Sequence, residues 1–205
     1  MSKPFKVTVV IPTKNGDFWI KDLILGIRFQ TIAKSTEIIV LDSNSQDNTL
    51  EILSELDIRV IKINPDEFNH GLTRNIGVKH ANGEFVVFTV QDAKPCDEFW
   101  LENLLLGFTD SKVAGVSGKQ MPEENEFTNP ISWHRPISKP NLRSYELSQD
   151  EFQKIKGQEL RRICSWDNVN AMYRKSALLN IPFEEVSFGE DMLWAKSALK
   201  FGYKI

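Results

Sequence analysis

Two cysteines, Cys96 and Cys164, stand among 205 residues. That is too few for a disulfide framework or a four-thiolate zinc site, and two reduced thiols of an intracellular protein are expected. No apolar run approaches the roughly 20 residues a membrane-spanning helix needs. Met1 to Lys6 has no signal-peptide core, and no Asn-x-Ser/Thr sequence occurs. Basic excess is also missing: 25 Lys and Arg face 28 Asp and Glu, for a net charge of −3. A chain with that balance has no basic excess to neutralise a phosphate backbone, so it is not expected to be a general nucleic-acid binder. Glycine-rich phosphate loops are absent too. No G-x-G-x-x-G follows the first apolar run, which disfavours a dinucleotide dehydrogenase. Gly115-Val116-Ser117-Gly118-Lys119-Gln120 has neither the spacing nor the Ser/Thr of a P-loop.

What is present is ordinary globular composition. Hydrophobic residues make up 41% and charged residues 26%, which argues against disorder. The length suits one domain. Short β-branched or apolar runs alternate with helical spacing over the first two-thirds. Strands are predicted at 7–11, 37–41, 58–63, 85–90 and 113–117. Helices are predicted at 18–29 with Asp17 as N-cap, after Asp47, at 71–81 and at 97–107. Such alternation predicts parallel pairing and an open α/β sheet flanked by helices. Residues 120–143 hold four prolines and lose periodicity, which reads as a long loop. Beyond it come a polar helix near 149–156, a strand at 168–174 and an amphipathic helix at 189–201. Tyr203-Lys204-Ile205 resembles the start of another strand, so the chain is expected to be part of a longer protein.

In an open parallel sheet, ligands bind beyond the carboxyl ends of the strands. Polar clusters fall there: Pro12-Thr13-Lys14-Asn15, Asp42-Ser43-Asn44-Ser45 and Gln91-Asp92-Ala93. Asp and Asn also begin loops and cap helices, but Asp42 and Asp92 each directly follow a hydrophobic run. With no glycine cradle, a bound diphosphate needs a metal ion and basic side chains. Asp92 is a candidate hard-oxygen ligand for Mg²⁺ or Mn²⁺. Arg74 is a candidate phosphate contact or equally a surface arginine. Glu190 and Asp191 offer carboxylates at a helix start, either as favourable helix-terminal charge or as a general base. His70 could pack, cap or line the crevice. His80 suits a helix C-terminus and is assigned no function. Trp133, His134 and Arg135 could contact a ligand or pin the loop.

Together these segments resemble family-two glycosyltransferases. Val9-Val10-Ile11-Pro12-Thr13-Lys14-Asn15 is similar to their opening strand. Residues Ile39 to Thr49 are similar to their second-strand motif. Arg74-Asn75-Ile76-Gly77, Ala81-Asn82-Gly83-Glu84-Phe85 and Gly189-Glu190-Asp191 fit later motifs in order. Asp42-Ser43 in place of a double Asp, the stretch Glu67 to Asn75, and Gln91-Asp92-Ala93 resemble the rhamnosyltransferase branch. The resemblance implies one nucleotide-sugar-binding domain of the GT-A, Rossmann-like type over 1–205. Residues 1–118 would form the nucleotide-binding half and 119–205 the acceptor and catalytic half.

It further implies an inverting transfer from a nucleotide-diphosphate sugar, dTDP-L-rhamnose above all, to a saccharide or lipid-linked acceptor. The expected site is cytoplasmic, with peripheral membrane contact only through that acceptor. Pro12, Thr13 and Asn15 would line the nucleotide site, Asp42 would accept from the base, and Arg74 would lie near the nucleotide. Asp92 would hold Mg²⁺ or Mn²⁺. Asp191 would be the base with Glu190 beside it. His70, Gln91, Trp166, Asn168 and Asn170 would contact donor sugar or acceptor. One departure is Val90, which stands where the family's metal motif usually has its first Asp. A UDP-hexose or UDP-N-acetylhexosamine donor is the alternative within the frame. A non-catalytic nucleotide-sugar binding module is the alternative outside it.

Overall fold

β-branched residues rise without interruption from Val7, and this run becomes β1 (Val7–Thr13) at the centre of the sheet. A computed structural model describes residues 6–120 and 142–205; the cluster Trp133, His134 and Arg135 lies outside them. After β1 the chain forms α1 (Ile20–Arg28), β2 (Thr36–Asp42), α2 (Thr49–Glu55), β3 (Arg59–Lys62), α3 (His70–His80) and β4 (Phe85–Phe88). It continues through α4 (Trp100–Leu106), β5 (Gly115–Ser117), α5 (Gln149–Lys154), α6 (Gly157–Ile163), β6 (Ala171–Arg174), α7 (Lys175–Asn180) and α8 (Glu190–Lys200).

The sheet order is β3-β2-β1-β4-β6-β5. β1 pairs in parallel with β2 and β4, and β2 with β3. The chain therefore winds outward from β1 to β3, then returns through α3 to lay β4 on the other side of β1. That reversal opens a crevice at the carboxyl ends of β1 and β4. Pro12 fits this place: β4 pairs with β1 only as far as Val10, so the missing N–H removes no ladder bond there.

Alternating side chains split the core. Val10, Ile39, Leu41, Val86 and Phe88 face α3, α7 and α8. Val9, Ile11, Val40 and Val87 face α1, α2 and α4. α3 lies close on its face because Gly77 lets it. A Cβ there would stand 2.5 Å from Val10 Cγ1 and 3.2 Å from Leu41 Cδ1. Both neighbours are fully buried, and Val10 is stiff at χ1. Gly77→Ala is therefore expected to overpack the core and cost about 1–3 kcal/mol, read by urea unfolding; a neutral result would contradict this packing.

Three expectations need correction. Asp17 does not cap α1: Trp19 holds the N-cap position with no side-chain bond, because the Gly16 carbonyl already accepts from the N–H of Trp19 and Ile20. The fifth strand does not extend the parallel series. β6 inserts between β4 and β5 and runs antiparallel to both, since two strands of like direction that are not neighbours leave room for one reversed strand. Tyr203-Lys204-Ile205 makes only a bridge to Val113 and a paired contact with Tyr145. The short helices α6 and α7 were not expected at all. Cys96 is exposed and Cys164 buried, both free, and burial pushes the Cys164 thiol up to about 11. No helix among the described residues is long and apolar enough to cross a membrane.

Candidate active site

Loops at the ends of β1 and β2 are stitched into one lip. The Asn15 N–H donates to Ser45 Oγ at 2.8 Å, and Asn15 Oδ1 accepts from the Gln46 N–H at 2.8 Å. Both Asn15 (φ 50°) and Asn44 (φ 63°) are left-handed, which asparagine tolerates better than most residues. Asp42 is 1% exposed. Its carboxylate accepts from the N–H of Asn44 and Ser45 and from Ser45 Oγ, closing the turn that shapes the lip. The Ser43 hydroxyl is buried without a partner among the described residues. Asp42 and Asn15 thus lie at the ends of β2 and β1, with their side chains engaged in building the loop.

Gln91 bridges the crevice. Its Oε1 accepts from Thr13 Oγ1 and from the Lys14 N–H, both at 2.9 Å, and its Nε2 donates to the Lys14 carbonyl at 3.2 Å. The end of β1 is thereby fastened to the turn after β4. Asp92, the next residue, is exposed, and its carboxylate has no partner among the described residues. No group of three metal-ligating side chains occurs among them either. This fits a divalent ion of the Mg²⁺ kind, which takes one or two carboxylates and fills its shell with water and substrate phosphates.

Beneath the crevice lies a buried polar chain that joins both halves of the sequence. Arg74 Nη1 donates to Glu190 Oε1 at 2.9 Å, with the two side chains only 7% and 8% exposed. The same Glu190 oxygen accepts from Asn168 Nδ2 at 3.1 Å. Tyr173 Oη donates to Asn168 Oδ1, and Trp166 Nε1 donates to Tyr173 Oη at 2.7 Å. Burial pushes the Tyr173 phenol well above its ordinary value, so it stays a neutral donor. Arg74 also donates to the His70 carbonyl at 3.1 Å, and its Nε is buried without a partner among the described residues. The arginine therefore points inward to the acidic motif rather than outward as a phosphate contact or a surface charge. Arg74, Trp166 and Asn168 are thus joined through Glu190 and Tyr173 in one hydrogen-bonded chain. Asn170 is likewise engaged: it accepts from Trp100 Nε1 at 2.8 Å and donates to the Lys119 carbonyl at 3.1 Å.

Asp191 differs from its neighbour. Gly189, at φ +81°, supplies the left-handed turn that feeds Glu190 and Asp191 into the first turn of α8. Glu190 turns inward to Arg74, while Asp191 is half-buried. Asp191 Oδ1 accepts from its neighbour's Met192 N–H at 2.7 Å, and Oδ2 from the Asn168 N–H at 3.3 Å. Burial raises its pKa above the ordinary carboxylate value. Repulsion from Glu190 and Asp167 adds to the rise, and the two N–H donors oppose it. A partly desolvated carboxylate with raised proton affinity and a solvent-facing side is suited to take a proton from a hydroxyl. His70 is exposed, with its ring 5.1 Å from that of Phe68, and its side chain makes no hydrogen bond among the described residues.

The structure thus brings Thr13 and Gln91 together at the crevice, and Arg74, Trp166, Asn168, Glu190 and Asp191 in the relay. Among the described residues, no side-chain contact joins Asp92 or His70 to either group; His70 meets the relay only through its backbone carbonyl, which accepts from Arg74. Sequence reasoning missed Tyr173, because a tyrosine in an apolar strand reads as core. It also missed the Thr13–Gln91 pairing across 78 residues.

The glycosyl transferase family 2 model matches residues 8–181. Among curated proteins, the O-antigen chain rhamnosyltransferase RfbN of Salmonella typhimurium is 32% identical over 98% of this chain and 63% of its own length. The O-antigen chain rhamnosyltransferase WbaN of Salmonella anatum is 34% identical over 97% of this chain and 62% of its own length. The chain therefore spans less than two thirds of these relatives. Among solved structures, the mannosyltransferase PcManGT of Pyrobaculum calidifontis, in complex with GDP-Man and Mn²⁺, superposes with a TM-score of 0.68 at 20% identity. That match covers 98% of this chain and 55% of the other. S. aureus TarS 1–349 with UDP-GlcNAc superposes at 0.65 and 23% identity, over 96% and 54%. These superpositions show a shared GT-A-like α/β fold.

Proposed function

The chain belongs to glycosyl transferase family 2, and on that premise we propose that it forms the donor-binding and catalytic part of an inverting rhamnosyltransferase. The donor is dTDP-L-rhamnose, and the acceptor is a hydroxyl of a saccharide or of a lipid-linked glycan. Residues 1–118 bind the nucleotide, and 119–205 carry the base and meet the acceptor. The two rhamnosyltransferases among the relatives support the sugar, and the strand-end crevice supports the nucleotide's place.

The observation that carries the reading is the split in the acidic motif. Arg74 fastens Glu190 inward, which leaves Asp191 as the carboxylate able to meet an acceptor hydroxyl. Asp191 holds the proton taken from that hydroxyl, and the oxygen attacks the anomeric carbon from the face opposite the leaving diphosphate. One displacement inverts the configuration and needs no protein nucleophile. The lip of Asn15, Asp42 and Ser45, with the Thr13–Gln91 clasp, holds the nucleoside against the end of β1. Asp92 would hold Mg²⁺ or Mn²⁺, which when bound offsets charge on the diphosphate. Aligning donor and acceptor contributes up to roughly 7–11 kcal/mol of barrier lowering.

Calorimetric titration with dTDP, UDP and GDP, each with and without Mn²⁺, tests the donor assignment. The expected result is metal-dependent binding with dTDP preferred, and loss of the metal dependence in Asp92→Asn. Preference for UDP would move the donor to a UDP-sugar, and tight binding without turnover would favour a non-catalytic module.

A further inference from the structure

A phenylalanine would fill the seat of Tyr173 as well as tyrosine does, and would bury no hydroxyl. The ring is fully buried in β6. Its centroid lies 4.6 Å from that of Trp194, 5.7 Å from those of Phe88 and Phe183, and 6.1 Å from that of Trp166. β6 pairs on both sides, with β4 and with β5, so the ring stands on a fixed post. Taking a hydroxyl into such surroundings costs free energy unless it is hydrogen-bonded. The bonds of this one lead out of the core to the acidic motif.

Those bonds have a single direction. Trp166 Nε1 only donates, so Tyr173 Oη accepts from it at 2.7 Å and gives its one proton to Asn168 Oδ1. This fixes the Asn168 amide, with its oxygen on Tyr173 and its nitrogen on Glu190 Oε1 at 3.1 Å. Arg74, which also only donates, meets the same Glu190 oxygen. A reversed amide would set Oδ1 against the Glu190 carboxylate. Residues 164–170, between α6 and β6, form neither helix nor strand. The buried side chain of Asn168, gripped at both ends, therefore locates its own backbone, whose N–H reaches Asp191 Oδ2 at 3.3 Å.

We propose that Tyr173 is a positioning residue for the base: through the Asn168 amide, its hydroxyl holds the Asn168 backbone N–H on Asp191 Oδ2. The consequence for sugar transfer rests on Asp191 being the base; the hold on Asp191 does not. The charged groups that face Asp191 are Glu190 and Asp167, which raise its proton affinity, and Arg74 stands behind Glu190. Tyr173 is neutral, so removing its hydroxyl alters none of these charges, and its effect on Asp191 travels through Asn168. An N–H bond to a carboxylate favours the ionised form, so loosening it moves the titration of Asp191 to higher pH.

Tyr173→Phe, which keeps the ring, tests it with two readouts. One is the carbon-13 NMR titration of the Asp191 carboxyl, identified by the resonance lost in Asp191→Asn. The other is the pH–rate profile of transfer from dTDP-L-rhamnose. Both midpoints are expected to move to higher pH. On the plateau kcat is expected to fall by about tenfold or more, since displacing a reacting group by about 1 Å costs as much as about 10²-fold, while KM for the donor stays unchanged. Trp166→Phe leaves the Tyr173 proton on Asn168 and removes only the donor that polarises it; the same shifts, smaller, are expected there, and this variant carries the test if Tyr173→Phe does not fold. Thermal melting reports folding. A hydroxyl that served packing alone would lower the melting temperature and leave both midpoints at their wild-type positions, and that result would overturn the proposal. A shifted Asp191 titration beside an unshifted rate profile would remove Asp191 from the role of base and leave the hold of Tyr173 on it standing.

Discussion

Replacing Asp191 by asparagine is expected to lower sugar transfer by about 10²–10⁴-fold, the range general-base catalysis supplies, while donor affinity stays unchanged. Asn keeps the shape, and its one amide oxygen can still accept from the Met192 N–H, the shorter of the two bonds that Asp191 receives, but it cannot take the proton. Stability should not fall with activity. The folded-state pKa of Asp191 is raised, so its ionised form is disfavoured by the fold, and this cost is present at pH values above that pKa. The neutral amide removes the cost. In the wild type, the same raised pKa makes the rate fall with decreasing pH from a point above the ordinary carboxylate range. Steady-state rates from pH 4 to 8, beside melting curves for both proteins, check each part. Transfer that survives in Asp191→Asn would remove Asp191 from the role of base.

Breaking the Arg74–Glu190 pair should have the largest effect on stability. Arg74→Met leaves Glu190 buried without its cation, at an expected cost of about 3–5 kcal/mol. The double variant Arg74→Met/Glu190→Gln should recover most of that loss, because Gln Oε1 still accepts from Asn168 Nδ2. Glu190→Gln alone removes a negative neighbour of Asp191, so the acid limb of the rate profile should move to lower pH. Urea unfolding and pH–rate profiles measure the two effects. A cost for Arg74→Met below about 1 kcal/mol, as for an exposed pair, would mean that Arg74 is not a buried anchor.

Local signals made part of this molecule legible. Runs such as Val7–Ile11 and Phe85–Phe88 announce strands buried on both faces, and the helical spacing of Ile20, Leu23, Ile24 and Ile27 matches the buried face of α1. The strand-end polar clusters could therefore be placed on one crevice. What stayed hidden depends on contacts distant in sequence. Arg74 and Glu190 meet across 116 residues, and nothing near Arg74 tells an inward arginine from an outward one. β6 takes its reversed place because β4 and β5 leave a gap, which is a property of the whole sheet. Asp42 is different: the Asp-Ser-Asn-Ser spacing is itself a signature of a side chain that closes its own turn, so its engagement could have been read from the sequence.

The most direct test of transfer chemistry follows nucleoside diphosphate release from dTDP-L-rhamnose with Mn²⁺, together with the anomeric configuration of the rhamnosyl product by NMR. The account predicts release with inverted configuration in the wild type, and its loss in Asp191→Asn while dTDP still binds. Retained configuration, or equal release by the two proteins, would contradict it.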